Sequence, residues 1–455
     1  MAELERYRGH FYNWYDTQSL RPLHPTYVST VDSGNLAGHL LTLRAGLLAL
    51  IDSPILEPRW LEGLSDTLEI LLDEVGEVAP ATLTEFCAVI DAARETGPTM
   101  LAATQLLLDN LVRLAEATVA ELGGEARGKS AWWAQALATQ CRAFNDDLGF
   151  LTPWSVLTAS LDGDDDRTEL SVMPTLRTLA GLEETQAAAV ACQYGVTPEQ
   201  EVWLQPLDPH VAQGSERARL RIAAIQRLAL QTGEFANMEY GFLYDKESRL
   251  LSIGYSVEER RRDPSCYDLL ASEARLSVFV GIAQGQLPQE SWFALGRLLT
   301  NPGGEPILLS WSGSMFEYLM PQLVMPNYEH TLLDQTARAV VERQIEYGQQ
   351  CDLPWGMSES GYNTVDGHLN YQYRAFGVPG LGLKRGLAED LVVAPYASAL
   401  ALMVAPEAAC LNLQRLSASG VEGQFGFYEA VDYTPARQRR GEKHAVLRSY
   451  MAHHQ

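Results

Sequence analysis

Three short segments combine carboxylates, aromatic rings and glycines in a way that suits sugar chemistry. They are Tyr267-Asp-Leu-Leu-Ala-Ser-Glu273-Ala-Arg275, Ser310-Trp-Ser-Gly-Ser-Met-Phe-Glu317-Tyr318 and Pro354-Trp-Gly-Met-Ser-Glu359-Ser-Gly-Tyr-Asn363. The last is followed by Asp366 and by Tyr371-Gln-Tyr-Arg374. Trp and Tyr faces stack on the apolar face of a sugar ring, while carboxylates, Asn, Gln and Arg bond its hydroxyls. Cleavage of a glycosidic bond needs two carboxyl groups. One protonates the departing oxygen, and the other attacks the anomeric carbon or activates water. Aromatic neighbours also lower the local polarity and can raise a carboxyl pKa into the range of a working acid.

Each candidate has a plainer reading beside the catalytic one. Glu273 has Arg275 two residues on, which also fits a helix-surface ion pair, and Glu317 in Phe-Glu-Tyr also fits a local hydrogen-bonding role. Glu359 is better placed, because it lies in a short loop among glycines, where conspicuous carboxylates favour function. Glu422 and Glu429 have weaker claims, and the aromatic residues fit core packing as well.

Other chemistries lack their equipment. Gly380-Leu-Gly-Leu-Lys-Arg-Gly386 spaces its glycines one residue too widely for a dinucleotide fingerprint. No P-loop, HExxH, HxH or G-x-S-x-G motif occurs, and His453-His454 has no metal-site spacing. Asp162-Gly-Asp-Asp-Asp166 starts like a calcium loop but lacks its later Gly and Glu, so it reads as an exposed acidic loop. No metal and no cofactor are expected. The six cysteines show no CxxC pair and suit a reducing compartment.

The 455 residues carry a net charge of −24, which disfavours nucleic acid and anionic membrane surfaces as partners. Residues 1–240 hold −18 of it, whereas 23 of the 40 aromatic residues lie in 241–455. The second part is therefore the better place for a site. The longest apolar run, Ala397 to Val404, is far short of the ~20 residues of a membrane span, and the charged start lacks a signal-peptide pattern. The chain reads as soluble.

The elements that must position these loops are mostly helical. Helices are expected over 36–51, 56–75, from a capping box at Thr82-Leu-Thr-Glu85 to Gly97, and over 99–122, 129–148, 174–194 and 215–232. Two short strands are expected over 241–245 and 249–255. Beyond them come helical stretches at 267–284, 292–299, 314–323, 332–347 and 395–403. About a dozen helices in antiparallel hairpins suggest an all-α toroid or bundle with long loops and a small β-hairpin insertion.

At these segments the chain resembles the middle, cyclisation domain of cyclic β-1,2-glucan synthases. The three loop segments carry the resemblance, with Phe376-Gly-Val-Pro-Gly-Leu-Gly-Leu-Lys-Arg385, Phe11-Tyr-Asn-Trp-Tyr-Asp16 and Tyr27-Val-Ser-Thr-Val-Asp-Ser-Gly-Asn-Leu-Ala-Gly-His39. It covers nearly the whole chain. It implies an (α/α)6 toroid over 1–455 as a single domain, and an anomer-retaining transglycosylase that closes linear β-1,2-glucan into a ring. Glu273 would be the nucleophile and Glu359 the acid/base. Trp311, Trp355, Tyr362 and Tyr371 would be sugar platforms, and Glu317, Asn363 and Arg374 further substrate contacts. The resemblance also implies partner domains in one larger synthase, a glucosyltransferase and a phosphorylase-like domain, on the cytoplasmic side of a bacterial inner membrane. An inverting endo-β-1,2-glucanase and a non-catalytic glucan-binding domain remain the alternatives.

Overall fold

The computed structural model describes residues 1–97, 100–123, 128–155, 172–182, 208–302 and 304–450. The acidic loop at 162–166, Cys192, His453-His454 and the end of the helix expected over 174–194 lie outside them. About half of the described chain is helical, and the strands form small sheets of two or three members. No helix among the described residues is long and apolar enough to cross a membrane.

The chain divides into two compact units, residues 43–231 and residues 1–42 with 232–455. The first is helical. Trp60–Val75, Ala81–Thr96, Leu101–Gly123 and Lys129–Leu151 pack on one another around a leucine-rich core. In Trp60–Val75 the buried Leu61, Leu64, Leu68 and Leu71 recur at the three- and four-residue spacing of one helix face. The helix Ala81–Thr96 begins one residue before the expected cap. Pro80 is its N-cap, and the Thr82 hydroxyl instead bonds Glu121 and Thr118 on a neighbouring helix. Gly97 closes that helix in the left-handed conformation, at φ 57°.

The second unit carries all three candidate loops. Its core joins Val28, Leu276, Val278, Tyr318, Val340, Val341, Trp355 and Ala397. The helix Thr30–Ala49, which continues into the first unit, crosses Arg275–Ala283 at very close range. A Cβ on Gly34 would lie 1.9 Å from the Ser277 hydroxyl, which donates to the Thr30 carbonyl. Small residues there bring the two backbones together.

The strands outnumber the single insertion expected. Tyr244–Asp245 pairs with Leu250–Leu251 where the hairpin was anticipated, and Gly254–Ser256 joins Tyr27–Ser29 and Arg261–Arg262 in a three-stranded sheet. A further hairpin pairs Ser360–Val365 with Tyr371–Arg374. Its residues lack the clean apolar alternation that marks a half-buried strand, and burial fades along Ser360–Val365 instead of alternating. A helix over Pro406–Ala418 was also unforeseen, although Pro406 stands at its favoured first position.

Candidate active site

Glu273 lies in the turn that leads into the helix Arg275–Ala283. That turn is held by its neighbour. Arg275 is buried, and its guanidinium donates to the carbonyls of Ala271 and Ser272 at 3.2 Å, Glu317 at 2.7 Å and Tyr318 at 2.5 Å. Arg275 therefore acts as a staple rather than as one half of a helix-surface ion pair, the plainer reading of Glu273. It ties the first loop to the second through backbone oxygens, because a buried guanidinium needs several acceptors at once.

The second loop is organised by Glu317. Ser314 caps the helix Met315–Leu319 and forms a capping box with Glu317 at its third position. The Glu317 carboxylate also accepts from the Ser310 hydroxyl at 2.9 Å, the Trp311 amide at 3.1 Å, and the Ser312 amide and hydroxyl at 3.0 and 2.5 Å. These donors consume its acceptor sites, which matches the plainer reading of Glu317 and leaves little for a sugar hydroxyl. The segment 376–382 packs on this loop. Cβ atoms on Gly377 and Gly382 would fall 2.1 and 2.5 Å from the Ser312 backbone, so the glycines that failed as a nucleotide motif serve close backbone approach.

The third loop is tied at each residue before Glu359. Gln344 clamps Met357 with two 2.8 Å hydrogen bonds, and Ala394 donates to the Gly356 carbonyl. The Ser358 hydroxyl accepts from the Phe316 amide at 3.0 Å and donates to Tyr396 at 2.6 Å, whose hydroxyl in turn donates to the Glu359 carbonyl at 2.9 Å. Tyr396 therefore holds the backbone from which Glu359 projects.

Glu273 and Glu359 are both half-buried. Burial raises the Glu273 carboxyl to about 7, helped by the charge of Glu317 and opposed by the Ser272 hydroxyl and the Arg275 charge. Burial raises Glu359 to about 8, and the charges of Glu273, Glu317 and Asp32 add to it. Both carboxyls are thus shifted upward by burial and by neighbouring negative charge, with Glu273 acting on Glu359. The hydroxyls of Tyr267, Tyr373 and Tyr396 are pushed up by burial first and then by Glu273, Glu359 or Glu429, so they stay protonated donors.

The remaining sequence candidates divide. Trp311 is 41% exposed and Tyr371 40%, so both rings are open to solvent. Trp355 is 6% exposed and corrects the expectation. It packs in the core, where Gly348 leaves room for it, and its backbone is clamped by Asn412. Tyr362 is half-buried between Phe376 and the Arg437 guanidinium, which lies 5.0 Å above its ring. Asn363 spends its side-chain amide on the Arg437 carbonyl, and Arg374 pairs with Asp390 at 3.1 Å. These three hold the hairpin wall. Sequence reasoning did not single out Asp32, Tyr267, Tyr373 or Tyr396. The two-residue spacing of Tyr371 and Tyr373, which places both on one face of a strand, was the one local signal available.

Residues 266–455 match the Glycoamylase family, described as "Putative glucoamylase". Over 458 aligned residues the chain is 39% identical to the cyclic β-(1,2)-glucan synthase NdvB of Rhizobium meliloti (strain 1021). The chain is a homologue of one stretch of that synthase. The alignment takes in 99% of the chain and 14% of the synthase, so the resemblance seen in the motif blocks runs along the whole sequence while the relative is far longer. The Glycoamylase match contains Glu273, Glu317 and Glu359, and with them all three loops.

The role of Glu317 is open to measurement. Glu317→Ala is expected to cost about 2–3 kcal/mol of stability, because several loop donors lose their acceptor. Urea denaturation reads it. Unchanged stability with a raised KM would instead mark Glu317 as a sugar contact.

Proposed function

We propose that this chain processes β-1,2-glucan by anomer-retaining transglycosylation, closing linear chains into rings. The observation that carries the reading is the pair Glu273 and Glu359, raised to about 7 and about 8 on two separately stapled loops. The roles of nucleophile for Glu273 and acid/base for Glu359 follow the resemblance, and the upward shift of both suits carboxyls that exchange protons near neutrality. Two carboxyls sharing one cleft divide these roles because the first to ionise holds the second protonated. The synthase name of the homologue supports the substrate.

The mechanism runs in two displacements. The Glu273 carboxylate attacks the anomeric carbon while Glu359 gives its proton to the departing 2-oxygen, so the glycosidic bond breaks and an ester to Glu273 forms. The non-reducing 2-hydroxyl of the same chain then attacks that carbon. Its proton passes to Glu359, the ester breaks, and configuration is retained after two inversions. A tail held close enough outcompetes water by effective concentration. Trp311 and Tyr371 are the exposed rings that can grip it, while Tyr267 and Tyr373 offer hydroxyl donors.

The accompanying fold reading is an (α/α)6 toroid, supported by the helical content. In a longer synthase this stage would stand beside glucosyltransferase and phosphorylase-like domains at the cytoplasmic face of an inner membrane. The 14% coverage of the homologue supports such a setting.

Linear β-1,2-glucan incubated with the protein should give species one water lighter than the linear chains, read by mass spectrometry. Reducing ends that accumulate with inverted configuration would replace this reading with an endo-glucanase, and binding without products would replace it with a binding domain. The kcat/KM profile should be a bell with limbs near 7 and 8. Activity falls below the first as Glu273 takes up a proton, and above the second as Glu359 loses one.

A further inference from the structure

A cavity of about 440 Å³ opens elsewhere on the same unit, lined by Phe242, Asp245, Tyr255, Arg260, Arg262 and Asp263 among others. Its volume lies in the range of small-ligand pockets. Its aromatic wall is preorganised. The Tyr255 ring stacks on Tyr7 with centroids 5.6 Å apart, and Phe242 meets both rings edge-on. Polar groups stand around that wall. Arg262 pairs with Asp245 at 2.9 Å, and the Arg260 guanidinium has no ion pair among the described residues. Arg260 also holds a left-handed backbone, φ 50°, at the turn before Arg261–Arg262.

Two arginines against two aspartates leave the lining without net charge, so it matches neither an anion nor a cation. Planar bidentate groups beside aromatic faces match a neutral polyhydroxyl ring. The Tyr27 hydroxyl donates to Asp263, and its ring lies across Gly254, where a Cβ would sit 2.2 Å from that hydroxyl. The charge of Asp32 acts on Tyr27 and on Tyr267, and Tyr267 also feels Glu273 and Glu359. Tyr27 thus holds Asp263, one of the residues that line the cavity.

We propose that this cavity is a second carbohydrate site, which binds a β-1,2-linked glucosyl segment of the substrate remote from the reacting bond. The inference rests on the glucan reading of the cleft. Ring closure needs a long chain to fold back on itself, and a second grip on its length raises the effective concentration of the distant end.

The test uses the full 455-residue chain carrying Glu359→Gln, so that sugar is held without turnover. Calorimetric titration with a β-1,2-linked glucotriose should show two sites. Adding Arg260→Ala should weaken one of them about tenfold, as loss of a charge-assisted hydrogen bond predicts, and leave the other in place. Arg260→Glu should do the same, and both variants should keep the parent melting temperature. Crystals grown with the trisaccharide should show it against Tyr255 and Phe242 as well as in the cleft. One site that both arginine variants leave unchanged would overturn the second site and keep the glucan reading. No binding of the trisaccharide anywhere would overturn both.

Discussion

Glu273→Gln and Glu359→Gln are each expected to lower ring formation by about a thousandfold or more. Removing the nucleophile abolishes the ester intermediate, and loss of a general acid–base alone costs about 10²–10⁴. Both variants keep the shape of the side chain, so binding of linear glucan should survive. Stability should move the other way. Both carboxyls have folded-state values above the ordinary 4.5, so the native state holds protons that the unfolded chain has already released. The favourable contribution is complete below about 4.5 and is lost as pH rises through about 7 and 8. Neutral glutamine escapes that loss. Urea denaturation at pH 5 and pH 8 should therefore show both variants gaining stability on the wild type as pH rises. A variant with full ring-forming activity would remove its residue from the mechanism, and an advantage that does not grow with pH would remove the burial argument.

The second large effect is expected at Arg275. Arg275→Met should cost about 3–5 kcal/mol, because four backbone carbonyls in a buried site lose their donor together. It should also move the pH profile. The Arg275 charge opposes the upward shift of Glu273, so its removal should carry the acid limb of kcat/KM to higher pH. Arg275→Lys keeps the charge but cannot reach four acceptors, so it should restore the limb more fully than the stability. An unchanged acid limb in Arg275→Met, with stability lost, would reduce Arg275 to a structural staple with no influence on the nucleophile.

Glu359 was legible because a carboxylate among glycines in a loop is conspicuous at short range, whereas Glu273, in a segment without glycine, was singled out by the family resemblance. The same local view misplaced others. The pattern Ser/Thr-x-x-Glu occurs at Thr82–Glu85 and at Ser314–Glu317, yet the capping box forms at the second alone. Thr82 found partners on another helix, and Glu317 gained a ring of loop donors that no spacing announces. Trp311 and Trp355 both stand beside glycine or serine in loops. One ring is open to solvent and the other is in the core, where Gly348 makes space for it from a helix outside the loop.

By itself the sequence determined the helical character and the loops that hold Glu273, Glu317 and Glu359 as candidates, which the family resemblance then narrowed to Glu273 and Glu359. Each of those depends on residues within a few positions of one another, so periodicity and motif suffice. The tertiary structure alone showed that Glu317 is taken up by donors of its own loop, while burial and neighbouring charge raise Glu273 and Glu359. It also brought Asp32, Tyr267, Tyr373 and Tyr396 to the two glutamates from well-separated parts of the chain. Burial and like charge set the protonation of the pair, and both are properties of what surrounds a group in space rather than along the chain.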